Sequence, residues 1–193
     1  MTRIFPSLAS ISLMLFVLAL GLGLSVGDLY DNPTQADVAQ KGNHLLAGTA
    51  AALFVVFVES IAVTYFVGTS RWCKEVTETY KLDPADVAES TRLKRRTFPL
   101  AVAGMLTVVG VGALGAASDP GTGRENTATM ANVHLAAAFA GLCFVGWTYY
   151  RAWLNIAENQ NVIARIVAKV REIRVAKGLD VEPVEDEPAT VPH

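Results

Sequence analysis

Cysteine is scarce in this chain of 193 residues, and formal charge is missing from long stretches of it. The two cysteines, Cys73 and Cys143, make no disulfide framework, and neither has metal-ligand spacing to a partner. There is no Ser/His/Asp set, no phosphate-binding glycine loop, no dinucleotide fingerprint and no Cys/His metal framework, which argues against hydrolase and kinase chemistry. A formal net charge of −2 and the lack of a basic patch with interleaved aromatics argue against nucleic-acid binding. Only three histidines are present, and His193 ends a tail rich in Pro and Glu.

What is present is apolar and organised in blocks. Hydrophobic residues make up 52% of the chain, gathered into four runs at 8–26, 44–68, 100–117 and 134–154. Each is about long enough to cross a bilayer core as a helix, roughly 20 residues. Helices are expected because lipid satisfies no free backbone group. Glu59 is the only formal charge well inside a run, and Arg151 lies at an end. The expected fold class is therefore an all-α integral membrane protein, a four-transmembrane-helix bundle. The first span has Arg3 and an apolar run, as a signal peptide does. That run is long for a signal sequence and no Ala-x-Ala site closes it, so it is read as a retained span.

Orientation follows from the loops. The 69–97 segment carries Arg71, Lys74, Lys81, Arg92, Lys94, Arg95 and Arg96, and the segment from 151 onward carries Arg151, Arg165, Lys169, Arg171, Arg174 and Lys177. The other two loops hold Lys41 and Arg124 alone. Positive residues stay inside, so both termini are expected to be cytoplasmic in a bacterial inner-membrane arrangement.

The chain repeats itself. Phe5-Pro6 opens the first span and Phe98-Pro99 the third; Met14 and Met105 each precede an aspartate, Asp28 or Asp119, by 14 residues; Gly21 and Gly112 precede the same aspartates by seven. Asn43-His44-Leu45-Leu46-Ala47-Gly48 resembles Val133-His134-Leu135-Ala136-Ala137-Ala138. A tandem two-helix repeat is expected, with units at 1–68 and 98–154 related by an axis along the membrane normal.

That repeat puts His44 and His134 at the outer ends of two co-directional spans, at one depth. Below each runs a stripe of small residues on its own face: Gly48 and Ala51 under His44, Ala138 and Gly141 under His134. Two imidazoles above small residues are what a bis-histidine haem b needs in a helix bundle. The arrangement resembles four-helix membrane cytochromes b in architecture alone. The expected function is thus a b-type haem (tetrapyrrole) subunit for electron transfer, with His44 and His134 as axial ligands and Gly48, Ala51, Ala138 and Gly141 lining the group. Two plainer alternatives stand beside it. The small residues mark close helix packing, or Asp28, His44, Asp119 and His134 form a metal site.

Glu59 is read as a polar clamp or proton site, with Tyr149, its repeat counterpart, and Arg151 as expected partners. Trp72, Trp147, Tyr149, Tyr150 and Trp153 read as an interfacial aromatic belt. The second span is expected to continue as helix to Tyr80, a short separate helix to follow Asp83-Pro84 as far as Arg95, and an amphipathic helix with Ile163, Ile166, Val167, Val170 and Ile173 on one face to fill 155–180; 181–193 reads as an acidic tail. Partners are expected to be the bilayer and other membrane subunits or a second copy. An accessory subunit of a larger membrane complex and a small ion-coupled transporter using Glu59 are the competing functions.

Overall fold

The computed structural model describes residues 1–179, so the 181–193 tail and His193 lie outside the described residues. Those residues form four long helices and no strand: α1 (Ile4–Leu24), α2 (Gln35–Tyr80), α3 (Ala85–Ala117) and α4 (Thr127–Ala176), with one 3-10 turn at Pro120–Thr122. All four are long and apolar enough to cross a membrane. Neighbouring helices pack in sequence order, α4 closes against α1, and α2 meets α4 across the diagonal.

The ends are set by local chemistry. Thr34 and Asp37 form a reciprocal capping box that starts α2. At the other end Lys81 takes φ +53°, and the Lys81 and Leu82 N–H groups donate to Glu78 O and Thr77 O. This is a Schellman stop with lysine where glycine is usual. Asp83 Oδ1 then accepts from Ala85 N at 2.9 Å. The separate short helix expected to end near Arg95 does not exist: α3 runs unbroken from Ala85 through Pro99 to Ala117. Pro99 removes one backbone donor, but packing on both sides of it holds the helix together. The helices start before the apolar runs do: α2 begins nine residues before His44 and α4 seven before His134, so both rings lie about two turns inside their helices.

Large apolar side chains cover the outside, and several polar ones are buried within the apolar core. Met14, Leu46 and Leu53 are 72%, 73% and 66% exposed, while Ser12, Glu59, Thr148, Asn155 and Asn159 are buried. Reading one turn at a time, the core is layered: Phe16, Val55, Val108 and Val145; then Ser12, Glu59, Gly104 and Thr148; then Ala9, Ala62, Ala101 and Ala152. Each layer takes one residue from each helix.

Beyond these layers α2, α3 and α4 continue as a three-helix extension. Cys73, Leu93, Ile156, Val162 and Ile166 form its core. Ile163 and Val170 pack against that core, whereas Val167 is 50% exposed, so the apolar stripe of the last helix turns onto its own hairpin. Asp86 fastens it, accepting from Arg165 Nε at 3.0 Å and Lys169 Nζ at 2.6 Å. Burial acts to raise the Asp86 carboxyl, but the bonds from Lys169 and Arg165 outweigh it and hold the group below the usual carboxylate range. A carboxyl lowered by folding stabilises the fold above its unfolded value of about 3.9 and loses that contribution as pH falls through the folded value.

Asp86→Asn should therefore cost about 1–2 kcal/mol, since both cations are half exposed. Thermal unfolding of the wild type should drop below about pH 4, and the variant should show a smaller drop; equal pH profiles would contradict the assignment.

Candidate functional site

The two histidines meet. Their ring centroids are 6.1 Å apart and the ring planes are inclined by 68°. Each is held in the same way by the helix that precedes its own. His44 Nδ1 lies 2.9 Å from Ala19 O on α1, and His134 Nδ1 lies 3.1 Å from Val111 O on α3. A carbonyl only accepts, so both Nδ1 atoms carry the hydrogen, and in the matching neutral tautomer Nε2 is the nitrogen with the lone pair. Neither Nε2 has a hydrogen bond among the described residues.

One turn beyond each acceptor carbonyl stands a glycine. A Cβ on Gly23 would come 2.8 Å from His44 Cε1, and one on Gly115 would come 3.1 Å from His134 Cε1. Each imidazole thus lies in a notch made by a carbonyl and a glycine four residues later. The sequence reading missed both glycines. The signal was present, since Gly23 and Gly115 are 92 apart, within the repeat offset.

The small-residue stripes divide. Gly48 has open space where a side chain would be, and Ala51 is buried in the core. Ala138 is 7% exposed, and a Cβ on Gly141 would meet Val111 at 3.1 Å and Thr107 at 3.3 Å. The expected slot beneath His134 is therefore closed at Gly141, because the missing side chain lets α3 move in.

The aspartates do not join the histidines. Asp119 Oδ1 takes Lys41 Nζ at 2.7 Å and Gly121 N at 2.8 Å; Asp28 Oδ1 accepts from Tyr30 N and Asp31 N. The Lys41 bond, the Gly121 amide and the nearby ammonium hold Asp119 below the usual carboxylate range against the smaller effect of burial. No group of three or more His, Cys, Asp or Glu side chains suited to a metal occurs among the described residues, so the four-ligand reading falls.

Glu59 is also placed differently. Its Oε1 accepts from Thr148 Oγ at 2.7 Å, while Tyr149 bonds Ser12 at 2.8 Å. Arg151 makes no ion pair with it, and Arg151 Nε is buried without a partner. Tyr149 leaves the aromatic belt for the core, 3% exposed, with its ring edge on Phe5 at 6.0 Å. Trp72, Trp147, Tyr150 and Trp153 remain on the outside.

Comparison of the chain with known protein families, curated proteins and solved structures finds no match.

The glycine notches make a direct test. Gly23→Ala and Gly115→Ala should each lose about 1–3 kcal/mol through overpacking against a ring. Gly21→Ala and Gly112→Ala, with nothing within 4 Å, should be neutral or gain up to about 1 kcal/mol from helix propensity. Thermal unfolding of the four variants reads the difference; equal effects would mean the rings are not seated there.

Proposed function

We propose that this chain is an integral membrane protein built from two copies of one helix-pair unit, and that His44 and His134 hold a b-type haem between the copies for electron transfer. The apolar exterior supports the membrane setting: side chains such as Met14, Leu46 and Leu53 face outward while polar groups turn in. That is the distribution lipid favours and water does not. The Lys and Arg bias places the 69–97 segment and both termini on the cytoplasmic side of a bacterial-type membrane. The matching carbonyl-and-glycine notches support the duplication.

The observation that carries the haem reading is the paired tautomer. Nδ1–H donation to a backbone carbonyl is the usual outer support of a metal-bound histidine, fixing the ring and raising the basicity of the other nitrogen. His44 and His134, with ring centroids 6.1 Å apart, are the two side chains that would hold the group. A bound haem supplies one reversible electron. The protein's own part is to hold both rings through Ala19 O and Val111 O, with each Nδ1 as the donor and each Nε2 left as the atom that would bind the iron. Other membrane subunits, or a second copy of the chain, are the natural electron partners.

Protein purified in detergent, or reconstituted with haemin, should show a Soret band and sharp reduced α/β bands. His44→Ala or His134→Ala should abolish them, and Gly21→Ala should not. A wild-type chain that stays colourless with added haemin overturns the reading and leaves an accessory subunit.

A further inference from the structure

The histidine geometry leaves Glu59, the most deeply buried acidic side chain among the described residues, without a task. Among the described residues, Glu59 Oε2 is the one carboxylate oxygen buried with no hydrogen-bond partner, and the residue is 0% exposed. No cationic nitrogen lies within ion-pair distance of either oxygen among the described residues. Desolvated carboxylates lacking a cation are far costlier than neutral carboxyls.

The neighbours are arranged for the neutral form as well as the charged one. Thr148 Oγ is 2.7 Å from Glu59 Oε1 and 2.8 Å from Val145 O. A hydroxyl has one hydrogen and two lone pairs. Turned toward Glu59 it donates to a carboxylate. Turned toward Val145 O it accepts from a protonated carboxyl. Gly104 completes the site, because a Cβ there would stand 2.6 Å from Oε1. The surrounding groups are few. From α1 comes Ser12, whose hydroxyl pairs with the Tyr149 phenol of α4; α3 offers only Gly104; Arg151 of α4 makes no ion pair with Glu59. A metal cation needs several converging oxygens, and here the Ser12 and Tyr149 hydroxyls already pair with each other.

The two ways out of this layer differ. Toward the histidines, one turn away on each helix, stand Phe16, Val55, Val108 and Val145. Toward the far end stand Ala9, Ala62, Ala101 and Ala152, single methyl groups. One turn beyond them Phe5 and Phe66 are buried beside Thr97 and Asn155, and from there the core carries polar groups. Asn155 donates to Thr97 at 2.9 Å, Asn159 donates to Thr69 at 3.0 Å and Tyr65 at 3.3 Å, and Asn159 Oδ1 is buried without a partner. From Thr148 to Asn155 is seven residues, about 10 Å along the helix.

We propose that Glu59 is a proton-binding site, neutral at rest, which exchanges its proton across the alanine layer with the polar far end of the bundle. In the exchange the carboxyl loses H⁺ to water at that end and becomes a carboxylate, while the Thr148 hydroxyl swings its hydrogen from Val145 O to Oε1. The proposal uses none of the histidine geometry and stands whether or not haem binds.

Infrared spectroscopy of the full chain in lipid at neutral pH should show a protonated carboxylic-acid carbonyl band that shifts on transfer to D₂O. The band should be lost in Glu59→Gln, an isosteric change whose fold is checked by circular dichroism. In the wild type, dicyclohexylcarbodiimide should label the peptide containing Glu59 at neutral pH and less as pH rises. Ala62→Val should slow the D₂O shift without removing the band. A carboxylate at neutral pH in place of the band overturns the proposal. So does protection from labelling by sodium at fixed pH, which would mark a metal-cation site. A D₂O shift whose rate Ala62→Val leaves unchanged overturns the alanine route.

Discussion

Close approach of helices at positions without a side chain is the constraint on which the rest of this bundle depends. Gly23 and Gly115 give each imidazole its notch, and Gly104 gives the Glu59 carboxyl its place. In all three cases the glycine lies on α1 or α3 and the polar side chain comes from α2 or α4. The division of labour is physical. A helix lacking Cβ atoms on one face exposes backbone carbonyls and empty volume, and polar side chains of the facing helix reach both. The acceptors Ala19 O and Val111 O become available to the histidines in this way.

The same constraint explains the buried polar groups. Hydroxyls, amides and a carboxyl lie among the apolar core, where short neighbours let them find one another: Ser12 with Tyr149, Thr148 with Glu59, Asn155 with Thr97. Other bulky side chains, Met14, Leu46 and Leu53 among them, face outward. In lipid that arrangement costs little, and each internal hydrogen bond replaces a polar group left unsatisfied in hydrocarbon. The proposed electron site and the proposed proton site occupy different depths of one interior, separated by the layer of Phe16, Val55, Val108 and Val145.

Much of the architecture was legible in the residues. Four apolar runs gave four long helices, and continued 3.6-residue periodicity carried α2 to Tyr80 and α4 past its apolar run. The starts were harder to see. α2 begins at Gln35 because Thr34 and Asp37 cap each other, a spacing visible in the chain but lying outside its apolar block. Pro99 misled in the other direction. Proline is a breaker by local rules, and here packing on both sides overrode it. The matched histidines were readable as a pair, whereas the glycines that seat them were marked only by their repeat spacing, which does not tell what a glycine faces.

The sequence by itself determined the number of membrane-length apolar runs, their order and the shared depth of His44 and His134, because length, apolar runs and repeat spacing are properties along one dimension. Only the tertiary structure decided which faces meet. It paired Glu59 with Thr148 and sent the adjacent Tyr149 to Ser12. It closed the space at Gly141 and left it open at Gly48. Neighbouring residues on a helix point about 100° apart, so a one-residue difference in partner is a rotation about the helix axis. That rotation is fixed by how four helices pack together.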